Sequence, residues 1–207
     1  MRGSFFKAAI DRSGAALGLF VCLPVLLAVA LVVLVALGRP VLFRQRRAGL
    51  RGAPFDLLKF RTMKEGAGED LARLTPLGRW LRSTSLDELP QLWNVVRGDM
   101  SLVGPRPLLV HYLDRYTPEQ RRRHEVKPGL TGWAQVNGRN KVGWERRLAM
   151  DVWYVDHWSL GLDLWILART ILEVARRTGI SGEGSATMPE FRGAPEGRGP
   201  SRRRGVA

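Results

Sequence analysis

Gly14-Ala15-Ala16-Leu17-Gly18-Leu19-Phe20-Val21-Cys22-Leu23-Pro24-Val25-Leu26-Leu27-Ala28-Val29-Ala30-Leu31-Val32-Val33-Leu34-Val35-Ala36-Leu37-Gly38 carries no charged residue. A helix crosses the hydrocarbon core with about 20 apolar residues, so this run is long enough to do so. It is too long for the core of a signal peptide, although Ala36-Leu37-Gly38 faintly resembles a cleavage site. Pro24 lies inside the run, and proline removes a backbone donor and kinks or breaks a helix. Gly14 to Leu23 would make roughly 15 Å of helix, which puts the break near the bilayer midplane. Both flanks are basic: Arg2, Lys7 and Arg12 precede the run, and Arg39, Arg44, Arg46, Arg47 and Arg51 follow it. Positive flanks stay on the cytoplasmic side. Two topologies fit: a helix–break–helix hairpin that re-enters by one leaflet, and a kinked span of the kind in which proline is tolerated.

The rest of the composition narrows the partner. The chain has 207 residues, with 33 Lys and Arg against 19 Asp and Glu, a formal net charge of +14. Such a balance implies nucleic acid, anionic lipid headgroups or a phosphorylated substrate. Arginine dominates the cations; this favours paired donors to phosphate, and base composition of the genome explains it equally well. Cys22 is the only cysteine, so no intramolecular disulfide forms. His111, His124 and His157 stand at no zinc-ligand spacing. Neither a Walker loop nor a Gly-x-Gly-x-x-Gly occurs, which argues against P-loop enzymes and Rossmann dehydrogenases.

Beyond the apolar run the pattern is α+β. Val41 to Arg46 and Phe55 to Met63 alternate as strands around a turn at Arg47 to Gly52, which predicts a hairpin. Leu58 and Phe60 would face one way, Lys59 and Arg61 the other. A phosphate contact and a solvated face fit those two cations equally. Pro76 to Leu81 reads as a short helix. Ser85 and Glu88 match a capping box, which would place Asp87 and Glu88 in the first turn of a helix ending at Gly98. Acidic residues at a helix start are common for stability alone, and on this signal alone that is the simpler role. Arg79, Arg82, Arg97 and Arg106 nevertheless surround the pair in sequence, and a carboxylate beside several cations is what phosphate chemistry needs.

Gly104-Pro105-Arg106-Pro107 would hold Arg106 on a stiff extended segment. Thr117 to Gln120 is a helix start leading into Arg121-Arg122-Arg123, a basic cluster that fits a solvated face better than a lipid contact. Lys127 to Trp133 and Asn137 to Asn140 are turns rich in backbone donors. Helices are expected near Val142 to His157 and Leu160 to Arg177, the second ended by Gly179. Five tryptophans between Trp133 and Trp165 suit either a membrane interface or a core. From Pro189 onward the chain is Gly, Pro and Arg, the composition of a disordered tail. The expected organisation is a membrane helix over 1–38, one folded domain over 39–188 and a disordered basic tail over 189–207.

Taken together, Lys59-Phe60-Arg61-Thr62-Met63, Leu81-Arg82, Ser85-Leu86-Asp87-Glu88-Leu89-Pro90-Gln91, Gly98 to Pro107 and Lys127 to Arg139 resemble the bacterial sugar transferase family. These are the monotopic polyprenyl-phosphate phosphoglycosyl transferases, and the chain looks like their minimal catalytic form. The resemblance implies a re-entrant helix broken at Pro24, and helices packed at the membrane interface. It implies transfer of a sugar-1-phosphate from a UDP-sugar to a polyprenyl phosphate such as undecaprenyl phosphate, at the cytoplasmic face of the bacterial inner membrane. Asp87 and Glu88 match the family's catalytic pair, Asp87 as nucleophile and Glu88 as a ligand of Mg²⁺. Lys59, Arg61, Arg82 and Arg106 would hold phosphate oxygens, and Gly129, Thr131, Gly132, Gln135, Asn137 and Arg139 the nucleotide or sugar. Anionic lipids are expected partners, and a second copy of the chain is a candidate one.

Two other classes compete on charge. A membrane-tethered nucleic-acid binder would use the interleaved Trp and Arg, but no nucleic-acid motif is present and the Asp87-Glu88 segment is left idle; nucleic acid is therefore not an expected partner. A scaffold coating anionic lipid would tolerate loss of both carboxylates.

Overall fold

The computed structural model describes residues 2–66, 70–138, 142–176 and 190–193. Its first element, α1 (Arg2–Leu37), is the apolar run with its basic lead-in, and the helix continues through Pro24. The expected break does not interrupt the helix: proline removes one backbone hydrogen bond and its ring crowds the carbonyl four residues back, which kinks a helix without having to end it. The most apolar 18-residue stretch of Phe5–Leu37 has a mean hydropathy of 3.2, and the helix meets the length and composition needed to cross a membrane.

Both arms of α1 pack on the rest of the chain. At the N-terminal arm Lys7 Nζ lies 2.6 Å from Asp163, and Asp11 accepts a 2.6 Å hydrogen bond from Ser101 Oγ. Gly14 lets the helix approach Leu102, which a Cβ there would meet at 3.1 Å, and Gly18 faces Leu92 at ordinary contact distance. At the C-terminal arm Val29 and Val33 are buried against Phe60 and Leu81. Phe20, Val21, Leu23, Val25 and Leu27, around Pro24, are exposed between these two anchors.

The expected hairpin is present: β1 (Leu42–Ala48) pairs antiparallel with β2 (Pro54–Phe60), with Phe43 opposite Lys59 and Arg47 opposite Phe55. The turn between them uses left-handed Arg51 and Gly52. A short α2 (Asp70–Arg73) precedes α3 (Pro76–Ser83), whose first turn is capped by Thr75 Oγ1 accepting from Gly78 N–H. The chain then forms a 3-10 turn over Leu86–Glu88 and α4 (Gln91–Arg97), which ends at left-handed Gly98 as expected. The Ser85–Glu88 capping box does not form. Ser85 takes φ 58 and caps nothing, and Glu88 is drawn to cations instead.

A parallel pair follows, β3 (Ser101–Val103) with β4 (Gly129–Thr131), separated by α5 (Pro118–Arg121). Thr117 and Gln120 complete a capping box on α5. Then come α6 (Trp133–Asn137), α7 (Trp144–His157) and α8 (Leu160–Arg176); Gly179 lies outside the described residues. Lys7 ties α1 to α8, because Asp163 also accepts from Tyr154 OH and Trp158 Nε1. The boundary expected at residue 38 thus separates segments that share core clusters.

The segment expected to be a disordered tail departs from that reading where it is described. Phe191 is 3% exposed, packed against Tyr112, Tyr116 and Trp144, and Glu190 meets Arg115 at 2.7 Å. One aromatic ring packed among three others outweighs the polar composition around it. The remainder of that tail lies outside the described residues.

Candidate active site

The reactive groups converge from three segments. The 3-10 turn presents Asp87 and Glu88, β2 presents Lys59, and the extended segment after β3 presents Arg106. Lys59 Nζ and Arg106 Nη2 each lie 2.6 Å from Glu88 Oε1, and Arg106 Nη1 reaches Glu88 Oε2 at 3.4 Å. Asp87 is 6% exposed beside them. Arg82, on α3, donates from Nε to Thr62 Oγ1 at 3.1 Å and lies close enough to stabilise the Asp87 carboxylate.

The two carboxyls are driven apart in acidity. Burial raises Asp87, and the neighbouring charge of Glu88 raises it further; Lys59, Arg82 and Arg106 oppose this without cancelling it. Burial would raise Glu88 too, but Arg106 and Lys59, through charge and hydrogen bonds, hold it well below the ordinary carboxylate range. Arg106 is raised in turn, first by Glu88. Glu88 is a fixed anion between two cations, and Asp87 is the group whose protonation responds to what binds nearby.

The scaffold behind the pair is built from amides and buried ions. Asn94, fully buried on α4, accepts from Leu58 N–H and donates to Asp56 O, which fixes β2 and so Lys59 against the helix that follows Glu88. Arg123 is 2% exposed, pairs with Asp151 at 2.8 Å, and donates to the Arg106 carbonyl at 2.6 Å. Arg123 is thus neither a lipid contact nor part of a solvated face, in contrast to the reading of the triple-arginine cluster.

The remaining expected site residues lie elsewhere. Arg61 lies just beyond β2 and closes the C-terminal end of α1: its guanidinium donates to the carbonyls of Leu37, Gly38 and Arg39, and to Glu65. It serves as a helix cap there and is not directed at Glu88. Gly129 and Gly132 are buried where β4 meets the Gly104 segment; a Cβ on Gly129 would stand 2.0 Å from Gly104 N, and one on Gly132 2.1 Å from Gly104 O. Thr131 Oγ1 bonds Thr170 on α8. These three residues pack the two extended segments together. Gln135 has its amide atoms buried without a hydrogen-bond partner, and Asn137 donates to Trp133 O. Arg139 lies outside the described residues.

Sequence reasoning gave Asn94 and Arg147 no role and Arg47 only a place in the basic flank and the turn, although Asn94 anchors β2 and the two arginines lie near Arg106. Their signal was hidden by register: Arg47 was read as part of a turn, whereas β1 extends through it to Ala48. No cluster of three or more potential metal-ligating His, Cys, Asp or Glu occurs among the described residues. Mg²⁺ fits the pair all the same, because it uses one or two carboxylates and takes its other ligands from water and phosphate.

The bacterial sugar transferase profile matches residues 2–177. The uncharacterized sugar transferase EpsL of Bacillus subtilis is 51% identical over 187 residues, 87% of this chain and 93% of its own. A UDP-glucose:undecaprenyl-phosphate glucose-1-phosphate transferase of Caulobacter vibrioides is 46% identical, covering 80% of this chain and 68% of its own. The UDP-galactose-lipid carrier transferase of Erwinia amylovora is 40% identical over 84% of this chain, which spans 41% of that larger protein. The chain belongs to the bacterial sugar transferase family and is a phosphoglycosyl transferase.

Proposed function

We propose that this enzyme transfers a sugar-1-phosphate from a UDP-sugar to undecaprenyl phosphate, with release of UMP, as an early membrane step in the assembly of a surface glycan. The observation that carries the reading is the Asp87–Glu88 pair held among Lys59, Arg82 and Arg106, in a chain whose relatives are named for that transfer.

The chemistry runs in two displacements. An Asp87 oxygen attacks the phosphorus that bears the sugar; the bond to the bridging oxygen of the diphosphate breaks, and UMP leaves with that electron pair. The product is an acyl phosphate on Asp87. An oxygen of the lipid phosphate then attacks the same phosphorus, the bond to Asp87 breaks, and the carboxylate is restored. Lys59, Arg82 and Arg106 hold the non-bridging oxygens, arginine by paired donors. Glu88 would hold Mg²⁺, which would supply charge neutralisation for the leaving phosphate.

The membrane reading belongs to the same proposal. α1 enters and leaves by the cytoplasmic leaflet of the inner membrane, and Pro24 marks its deepest part. Anchoring of both arms on one domain supports this, together with basic residues at both ends of the run. Exposed Trp80 and Trp93, near the site in sequence, suit the headgroup level where a lipid phosphate lies.

The test is UMP release by the full chain in nanodiscs with Mg²⁺, undecaprenyl phosphate and a panel of UDP-sugars. Release with one sugar, dependent on lipid phosphate, is the expected result. No release with any donor of the panel contradicts the reading.

A further inference from the structure

The two cations that best fit a substrate phosphate, Lys59 and Arg106, are both engaged by Glu88. A third guanidinium stands beside them without such a partner. Arg47 lies at the far end of β1, where Ala48 N–H donates to Leu108 O and Arg47 bridges Leu109. Its hydrogen bonds go to neutral oxygens, Gln45 Oε1 at 2.5 Å and the Pro107 carbonyl at 3.5 Å. Its Nε is buried with no acceptor, and no carboxylate pairs with it among the described residues.

A half-buried guanidinium without a counter-ion is costly unless an anion arrives. Burial and the Arg106 charge push Arg47 down to about 10, so two cations repel each other next to a single engaged glutamate. Arg147 adds to this field. It is buried on α7 beneath the Trp144 ring and is likewise pushed down to about 10 by burial and Arg106.

We propose that Arg47 forms, with Arg106, a second phosphate-binding subsite, and that its ligand is the diphosphate of the soluble nucleotide-sugar donor. The inference rests on the transferase reading above. Position chooses between the two phosphate sources that the reaction brings. Phe43, Gln45 and Arg47 share one face of the hairpin with Lys59, because residues paired across an antiparallel ladder point the same way. Lys59 stands opposite Phe43, just after the chain leaves α1, and Arg47 is four residues further on, about 13 Å along the strand. Lys59 is therefore at the membrane end of Glu88 and Arg47 at the water end. A lipid phosphate meets Lys59, and the nucleotide leaves past Arg47.

The test measures UMP affinity by calorimetry on the full chain in nanodiscs of neutral lipid, for wild type, Arg47→Gln and Arg47→Lys. Arg44→Gln, an exposed cation on the opposite face of the hairpin, is the control. Arg47→Gln is expected to weaken UMP about tenfold, the loss of a charge-assisted contact. Arg47→Lys falls between, since it keeps the charge without the paired donors, and it carries the measurement if the glutamine variant does not fold. Steady-state kinetics form the second arm: the KM for the UDP-sugar rises by a similar factor while the KM for undecaprenyl phosphate holds.

Unchanged UMP affinity in Arg47→Gln and Arg47→Lys overturns the proposal. So does a rise confined to the lipid KM, or an equal loss in Arg44→Gln, which would mean unspecific attraction. The affinity arm needs no turnover, so a failure of the transferase reaction itself shows separately, as absence of UMP release in wild type.

Discussion

Arg106 holds Glu88 by a fork, with Nη2 2.6 Å from Oε1 and Nη1 3.4 Å from Oε2. The fork fixes the orientation of a carboxylate that must stay ionised while its neighbour reacts. Arg106→Lys keeps the charge and loses the second donor. It is expected to lower kcat/KM for UMP release about 100-fold, the scale for removing one preorganised donor. A variant with kcat/KM near wild type would mean that charge alone is needed there.

Arg61 is expected to behave differently from Arg106, although both lie in motifs that resemble phosphate-binding segments. Its guanidinium satisfies three carbonyls at the end of α1, so Arg61→Ala leaves part-buried acceptors at Leu37 and Gly38 unpaired. The expected cost is about 1–3 kcal/mol per such group, read as a fall in melting temperature in nanodiscs. Substrate KM values of the folded fraction should hold. A rise in KM with unchanged melting would return Arg61 to the phosphate site.

These two arginines show what the sequence could and could not convey. The Asp87–Glu88 pair, Lys59 and Arg106 were legible because each lies in a motif whose chemistry is local: a polar turn, an alternating strand, a proline-stiffened segment. Arg61 was not, because alternation continues past Phe60 in sequence while the strand stops there, freeing the side chain to reach α1. Gly129 and Gly132 look like nucleotide-cradling glycines, but the nearest backbone is that of Gly104, a contact visible only once β3 and β4 are paired. The Ser85–Glu88 capping box lost to Lys59 and Arg106, since two charge-assisted bonds outweigh one neutral cap.

His124 supplies a pH dependence of stability. It is buried, its Nδ1 lies 3.1 Å from Gly49 O, its Nε2 has no partner, and burial followed by the Arg123 charge pushes it down to about 4. The unfolded chain takes up a proton near pH 6.5 that the folded chain refuses until about pH 4. This contribution is fully present above pH 6.5 and is lost as pH falls through that window. Denaturant titrations from pH 7 to pH 4 should show stability falling, and His124→Gln should flatten the slope. An unchanged slope in the variant would assign it to other groups.

The topology predicts a labelling pattern. In a Cys22→Ala background, cysteines introduced at Gly3 and at Arg44 should both resist a membrane-impermeant maleimide in intact spheroplasts and both react after lysis. Reaction of the Gly3 cysteine alone from outside would mean that α1 crosses the bilayer.

Burial and the neighbouring Glu88 charge make Asp87 a weaker acid than an ordinary aspartate, and the proposed reaction turns on this residue. The most direct measurement is intact-protein mass spectrometry of the full chain after incubation with its UDP-sugar and Mg²⁺, without lipid phosphate. One sugar-phosphate added per chain, mapped to Asp87, discharged by undecaprenyl phosphate and absent in Asp87→Asn, is the predicted result. Turnover by Asp87→Asn near the wild-type rate, or turnover with no covalent adduct on Asp87, would contradict the account.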